Sequence, residues 1–301
     1  MTTSTLFRIS VIGLSDCGIG VTERLSTSGL MVRASDAATK HLMRARTLLK
    51  SLRGALVRTG LLAQDTADAA ARQTQLVVSR AEVLERSQLV FDCIEDDLAH
   101  RKEHLLTLAG EIPENGIVVL VQPPKGWEAL AKEFPHPERL IGLQLTEFPS
   151  LLRRGQLLPL PNTAKSVTVE VTNLLLRCGI ILDTDGLAAI PIMNRLYGAV
   201  AREACEILRE QNLAPAQLDE VIRTLVGPML TAMGPMEYIA DVGLDAAFAT
   251  ILSGKVSTAA TDHLRTGGPD KGPLPLPESA VGEDGLPVCM LRLSRIQMNL
   301  T

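Results

Sequence analysis

Short apolar runs alternate with stretches of helical periodicity over residues 1–185. The run Phe7–Gly13 ends in glycine, apolar positions recur at helical spacing over Ile19–Leu30, and a second run follows at Leu30–Ser35. This order predicts a β-α-β unit. Further strand-like runs lie at Leu89–Ile94, Gly116–Val121, Arg139–Leu145 and Gly179–Asp183. Strands that alternate with helices predict an α/β fold with a doubly wound, mainly parallel sheet.

The segment between Ala37 and Arg86 is too long for a simple crossover between strands. Its Ala, Arg and Leu content and a turn at Thr59–Gly60 predict an inserted helical hairpin. Beyond Gly186, helices are predicted at Leu187–Gln211, Pro215–Leu225 and Asp241–Leu264. We therefore predict a sheet domain at 1–186, an all-helical C-terminal domain at 187–266 and a Pro- and Gly-rich tail at 267–301.

The charge balance favours a small ligand over a polyanionic partner. The 301 residues include 30 Lys and Arg against 34 Asp and Glu, a formal net charge of -4, without long runs of one sign. This argues against nucleic acid and against an anionic membrane. The first residues lack the pattern of a signal peptide, and no apolar stretch is long enough to span a membrane, so we expect a cytoplasmic protein.

Neither cysteines nor histidines form a recognisable metal motif. The five cysteines are scattered without a CxxC pair, which indicates free thiols in a reducing compartment. His100 and His104 are one helical turn apart, but a metal site would need a third ligand. We interpret them as a surface pair and predict no metal.

A loop directly after the first strand resembles a dinucleotide-binding fingerprint. Gly13, Ser15 and Gly18 occupy the three glycine positions of GxGxxG, and Asp36 follows the second strand, where a carboxylate can accept hydrogen bonds from a ribose. These features predict a Rossmann-like NAD site. Because Ser15 replaces the middle glycine and Asp16 adds a negative charge, we expect weakened pyrophosphate binding.

The residues after Asp36 bear on the choice of cofactor. Ala37 and Ala38 stand there instead of arginine, which favours NAD over NADP. In the alternative interpretation, the two glycines only allow a tight strand-helix turn, and Asp36 caps the next helix.

Four segments, in the same order and spacing, resemble the short-chain L-3-hydroxyacyl-CoA dehydrogenases. They are GLLAQDTADAAARQT at 60–74, LVFDCIEDDLAHRKEHL at 89–105, HPERLIGLQL at 136–145 and MGPMEYIADVGLD at 233–245. The resemblance implies NAD as cofactor, an acyl thioester of coenzyme A or a carrier protein as substrate, and a homodimer formed by the helical domain.

The positions that the resemblance marks as catalytic are altered. Gln144 and Gln156 stand where the family has a general-base histidine and its orienting glutamate, and glutamine does not titrate near neutral pH. Acid-base transfer of this kind contributes roughly 10²- to 10⁴-fold to a rate. A substrate-binding serine becomes Pro123, whereas Asn194 is retained. Glu147 is the candidate for a replacement acid or base.

At other functional positions, the resemblance implies residues of the same chemical type as in the family. Asp96 and Arg101 match cofactor-contacting residues, and Arg58 matches a basic residue near the coenzyme A entry. Each has a structural alternative: Asp96 and Asn194 as helix caps, Arg101 and Arg58 as solvated side chains. Two functions stay open: a divergent NAD-dependent oxidoreductase acting on a hydroxyacyl or oxoacyl thioester, and a catalytically inactive pseudoenzyme that keeps the dimeric fold for nucleotide or acyl binding or as a scaffold.

Overall fold

A computed structural model describes residues 8–95, 98–146, 153–183 and 189–242. Within these residues, eight strands form one sheet in the order β3-β2-β1-β4-β5-β6-β7-β8. The neighbouring strands are parallel except for β6 and β7, which are antiparallel. The strands are β1 Ile9–Ile12, β2 Val32–Ser35, β3 Thr74–Leu76, β4 Leu89–Asp92, β5 Ile117–Val121, β6 Leu140–Leu145, β7 Arg154–Pro159 and β8 Ile181–Leu182.

The helices connect these strands and continue beyond the sheet. They are α1 Asp16–Thr27, α2 Thr39–Arg58, α3 Gln64–Gln73, α4 Arg80–Leu84, α5 Leu98–Glu111, α6 Trp127–Glu133, α7 Lys165–Arg177, α8 Ala189–Gln211, α9 Pro215–Val221, α10 Gly227–Ala232 and α11 Pro235–Val242. The helices α2 and α3 form the predicted hairpin. The predicted fold class, a doubly wound sheet followed by helices, is confirmed.

Two strands are absent from the sequence prediction. The strand β3 is three residues long and follows α3 directly. The strand β7 has the sequence RGQLLP, which lacks β-branched and aromatic residues. Its antiparallel pairing with β6, over five residue pairs, places it in the sheet although its local propensity does not predict a strand.

The apolar core lies on both faces of the sheet. Along β4, Leu89 and Phe91 face one cluster with α1, α2 and α7, whereas Val90 faces the other with α4, α5 and α6. Because both faces are covered, the central strands are mostly apolar, as in the LVF of β4 and the IVVLV of β5, with Asp92 at the carboxyl end of β4 as a buried charged residue. This burial holds the carboxyl ends of the strands in place.

The C-terminal helices differ in detail from the prediction. A π-helical turn at Ile222–Val226 connects α9 to α10, so Gly227 and Pro228 continue the helix rather than ending it. The predicted helix Asp241–Leu264 and the tail at 267–301 lie largely or wholly outside the described residues.

The chain divides into two compact units, Met1–Leu196 and Tyr197–Thr301. The predicted boundary after Gly186 falls within 184–188, outside the described residues. None of the described helices has the length and apolar character needed to cross a lipid bilayer.

Candidate cofactor and active site

A cavity of about 400 Å³ opens at the carboxyl ends of β1, β2 and β4. In the sheet, β1 lies between β2 and β4, so the chain leaves its first strand in one direction and later returns on the other side. Ligands of open α/β sheets bind at such switch points. The cavity is lined by Ile12, Gly13, Leu14, Ser15, Ser35, Asp36, Ala37, His41, Arg44, Val78, Arg80, Cys93, Ile94 and Glu95.

Both loop glycines are required by close backbone packing. Gly13 has φ +88°, and a Cβ there would lie 2.8 Å from the carbonyl carbon of Cys93. A Cβ on Gly18 would lie 2.0 Å from the carbonyl oxygen of Gly13. These approaches make the turn from β1 into α1 possible, so the glycines serve the fold whether or not a nucleotide is bound.

Ser15 has a structural role that the middle glycine of the fingerprint lacks. It is the N-cap of α1, where its Oγ accepts a hydrogen bond from the Gly18 amide at 3.3 Å and lies 3.4 Å from the Cys93 carbonyl oxygen, to which it donates. The helix therefore begins at Asp16, three residues before the predicted start at Ile19. The Ser15 hydroxyl thus accepts a hydrogen bond from an amide, that of Gly18, that could otherwise donate to a phosphate.

Asp36 comes directly after β2 and lies in the cavity wall. Its carboxylate accepts hydrogen bonds from the Leu14 amide at 2.8 Å, the Ala38 amide at 3.0 Å and His41 Nδ1 at 2.8 Å. Burial by itself raises the pKa of Asp36, but these hydrogen bonds outweigh it and the pKa is lowered. The carboxylate is thus ionised at neutral pH. The helix α2 has Ala38 as its N-cap residue, so Asp36 is not the cap.

Arg101 is buried rather than solvated. It is 2% exposed, and its guanidinium donates to the carbonyl oxygens of Val121 at 3.2 Å and Gln122 at 3.1 Å. It also lies 3.8 Å from the buried carboxylate of Asp92. The interpretation of Arg101 as a surface side chain is therefore wrong, and it is not among the residues that line the cavity. Asp96 lies outside the described residues.

His104 also departs from the sequence interpretation. Its side chain is 10% exposed, with Nε2 3.2 Å from Asp92 and Nδ1 3.1 Å from Arg80. The expected surface pair with His100 is wrong, because α5 turns His104 toward the buried end of β4. Among the described residues, no group of His, Cys, Asp and Glu could hold a metal ion.

The cysteine thiols beside the cavity are not activated. Cys93 is buried in the cavity wall, and Cys17 lies in the first turn of α1. Burial and the charge of Glu95 raise the pKa of Cys17 to about 12. A thiol with such a pKa stays protonated at neutral pH and is a poor nucleophile.

The two glutamines that the sequence analysis expects at the catalytic positions are brought together. Gln144 on β6 and Gln156 on β7 are direct register partners in the antiparallel pair, and both are half-buried. Opposite residues in such a pair have Cβ atoms roughly 4.5–5.5 Å apart. The missed strand β7 is what creates this pairing. Glu147 lies outside the described residues.

Gln122 is a residue that sequence reasoning missed. Its backbone is left-handed, with φ 50°, and its side chain binds the backbone of Leu145 through Nε2 to the carbonyl oxygen at 2.8 Å and through Oε1 from the amide at 3.3 Å. It thereby ties the carboxyl end of β5 to that of β6. No local sequence signal marks a left-handed glutamine. Pro123 follows it directly.

The remaining candidate residues are exposed. Asn194 lies in the second turn of α8, so it does not cap that helix. Arg58 is the last residue of α2. The structure describes no contact that joins either residue to the glutamine pair.

Two family models match the chain. The NAD-binding domain of 3-hydroxyacyl-CoA dehydrogenase matches residues 8–180, and the C-terminal domain matches residues 192–270. The chain belongs to the 3-hydroxyacyl-CoA dehydrogenase family. NAD is accordingly its cofactor.

Two relatives of this chain are enzymes that are named for different substrates. The chain is 24% identical over 242 residues to a 5-formyl-3-hydroxy-2-methylpyridine 4-carboxylate 5-dehydrogenase of Mesorhizobium japonicum, covering 79% of this chain and 76% of the relative. It is 25% identical over 252 residues to the 3-hydroxyadipyl-CoA dehydrogenase of Escherichia coli, covering 81% of this chain and 51% of that longer protein.

Solved structures of the family share the fold. A 5-formyl-3-hydroxy-2-methylpyridine 4-carboxylic acid 5-dehydrogenase superposes with a TM-score of 0.63 at 20% identity, over 98% of this chain and 96% of the other. The (S)-3-hydroxybutyryl-CoA dehydrogenase of Ralstonia eutropha gives 0.58 at 16% identity, over 96% and 93%.

The residues of the cavity fit NAD. The ionised Asp36 lies where a ribose acceptor is needed, and of the two side chains between the end of β1 and the start of α1, Leu14 is buried and Ser15 is only half-buried. Ser15 and Asp16 reduce the fit at the diphosphate, as the sequence predicts, but Asp16 is paired with Arg44 of α2. This partner offsets part of the expected repulsion.

Proposed function

We propose that the protein is an NAD-dependent oxidoreductase whose substrate is a hydroxyacyl or oxoacyl thioester of coenzyme A or of a carrier protein. The observation that carries the proposal is the joint presence of the Asp36 cavity and the Gln144–Gln156 register pair in one sheet. NAD, when bound, supplies the hydride acceptor or donor. Asp36, Gly13, Ser15 and Gly18 would hold the cofactor, and Asp96 and Arg101 would support it.

The glutamine pair changes what the protein can do for its substrate. A glutamine amide can donate a hydrogen bond to a carbonyl oxygen and so orient it, but it neither takes up nor releases a proton near neutral pH. Proton exchange then falls to water. We assign Gln144 and Gln156 to orienting the reacting oxygen, and Pro123, Asn194 and Arg58 to the substrate side of the site.

A second candidate function is a catalytically inactive protein that keeps the nucleotide site as a binding or scaffolding module. The observation in its favour is that the register pair, in the described residues, contains two amides where proton transfer requires a titratable group. Both candidates include a homodimer, and they differ only in turnover.

The test of cofactor binding is a calorimetric titration with NADH of the wild type, Asp36→Ala and Asp36→Asn. We expect the substitutions to weaken binding about 10- to 100-fold, since a hydrogen bond to a charged acceptor is lost. Asp219→Ala, which removes an exposed carboxylate of α9, is the matched control and leaves binding unchanged. Equal affinity in all four proteins would refute the proposed site.

Turnover then separates the two candidates. NADH oxidation is followed with acetoacetyl-CoA as an oxoacyl thioester and with a pyridine carbaldehyde, because one relative is named for a formyl-pyridine substrate. Slow oxidation with the thioester supports the first proposal. Tight NADH binding without oxidation of either compound supports the inactive module.

A further inference from the structure

Several backbone amides of the cofactor loop are already engaged within the protein. Four of them already donate within the protein: Gly13 to Ser35 at 2.9 Å, Leu14 to Asp36 at 2.8 Å, Gly18 to the Ser15 hydroxyl at 3.3 Å and Ile19 to the Ser15 carbonyl oxygen at 2.9 Å. In a glycine-rich loop, such amides and the close approach of the backbone bind the phosphates. Because the Ser15 hydroxyl takes up the Gly18 amide and Asp16 adds a negative charge, a cationic side chain beside this loop would strengthen diphosphate binding.

Three basic side chains, His41, Arg44 and Arg80, line the cavity, and two of them have other partners. His41 is hydrogen-bonded to Asp36 at the ribose end. Arg80 pairs with Glu111 at 2.7 Å and donates to His104 at 3.1 Å. Both residues therefore already have partners within the protein.

Arg44 remains, and it is already positioned at the diphosphate end. It projects from α2, and its guanidinium contacts the carboxylate of Asp16, the first residue of α1. The side chains are 48% and 74% exposed, so solvent screens the pair and a stronger anion can displace it. Guanidinium binds phosphate oxygens through two parallel hydrogen bonds.

We propose that Arg44 is a cofactor-binding residue, which leaves Asp16 and pairs with the diphosphate of NAD in place of the missing glycine contacts. The inserted hairpin thus contributes directly to the nucleotide site. The inference rests on the proposed NAD site and adds to it the group that recognises the diphosphate. Asp16 acts as the competitor that holds Arg44 at the cavity when no nucleotide is bound.

The test compares binding of NADH, ADP-ribose and adenosine to the wild type and to Arg44→Gln, by calorimetry. We expect NADH and ADP-ribose to bind about 10- to 100-fold more weakly to Arg44→Gln, and adenosine, which has no phosphate, to bind equally. Asp16→Asn releases Arg44 and is expected to strengthen NADH binding. Lys40→Gln removes the same charge one turn earlier on α2, outside the cavity lining, and is the matched control.

The outcomes distinguish this inference from the proposed function. If NADH binding depends on Asp36 but is unchanged in Arg44→Gln, the inference is wrong and the NAD site stands. If Lys40→Gln weakens binding as much as Arg44→Gln, the effect is one of general charge and the inference is again wrong. If the wild type binds neither NADH nor ADP-ribose, both fail. Thermal melting of each variant verifies that it is folded.

Discussion

Gln144 and Gln156, the proposed substrate-orienting pair, are register partners that cannot transfer a proton near neutral pH. They face each other across the only antiparallel junction found among the described strands, with half-buried side chains that can hydrogen-bond but not titrate. At the other end of the site, Asp36 is held ionised by two amides and His41. The residues that we propose to bind the cofactor therefore suit that role, whereas the two glutamines cannot transfer a proton.

Restoring a titratable pair at these two positions is expected to raise turnover. In the double variant Gln144→His with Gln156→Glu, the imidazole can exchange the proton, a contribution of about 10²- to 10⁴-fold. The measurement is the rate of NADH oxidation with acetoacetyl-CoA. Gln156→Glu alone supplies a carboxylate but not the imidazole that exchanges the proton, so it should show no gain, and NADH affinity should be the same in all variants. An unchanged rate in the double variant would mean that no substrate carbonyl reaches the pair.

At the scale of elements, a buried ion pair fastens the inserted hairpin to the sheet domain. Arg53 of α2 donates to Glu23 of α1 at 2.7 Å, to the Ser26 hydroxyl at 3.1 Å and to the Thr74 hydroxyl at 2.8 Å. The side chains of Arg53 and Glu23 are 10% and 1% exposed. This connection sets the position of α2, the helix that carries both His41 and Arg44 to the cavity.

Arg53→Met should destabilise the fold strongly, because it leaves the buried carboxylate of Glu23 without its cation. Breaking one partner of a buried pair costs about 3–5 kcal/mol in the free energy of unfolding. Burial already raises the pKa of Glu23, with Arg53 opposing it. Without Arg53 the folded-state pKa rises further, so the native state binds more protons than the unfolded state. The loss should therefore be larger at alkaline than at mildly acidic pH.

Chemical denaturation at the two pH values measures this loss. Arg46→Met, an exposed position on the same helix, serves as the control and should stay within about 0.5 kcal/mol of the wild type. Adding Glu23→Gln to Arg53→Met should recover part of the stability. A pH-independent loss would show that packing, rather than the charge on Glu23, accounts for the effect.

At the scale of the whole molecule, the helices that follow the sheet domain expose large apolar side chains. Examples are Tyr197 at 74%, Leu225 at 61%, Met229 at 52% and Leu230 at 51% exposure. Apolar surfaces of this kind are typical of protein interfaces, and a symmetric dimer covers the same patch on both copies. This agrees with the homodimer that we propose.

Light scattering after size-exclusion chromatography is expected to give twice the chain mass of 32.4 kDa. Leu225→Glu combined with Leu230→Glu should shift the protein toward the monomer, since a carboxylate in the interface must be desolvated. Met43→Glu alters an equally exposed apolar residue on α2 and should leave the mass unchanged. A monomeric wild type would contradict the proposal.

Much of the fold can be predicted from the chain because it is encoded locally. The apolar runs of β1, β2, β4, β5 and β6, the glycine turn before α1 and the helical hairpin are each visible in a short window of sequence. That Gln144 and Gln156 cannot titrate near neutral pH is equally evident from the sequence, because this property of an amide does not depend on where the residue lies.

The contacts that turn these residues into a site required the folded chain. The strand β7 forms through backbone pairing with β6, and that pairing alone places Gln156 opposite Gln144. Arg44 reaches Asp16, and Arg101 is buried against the end of β5, because helices distant in sequence pack on the same sheet. Such contacts depend on register and on long-range burial. Neither can be predicted from the hydrophobic periodicity of a short sequence window.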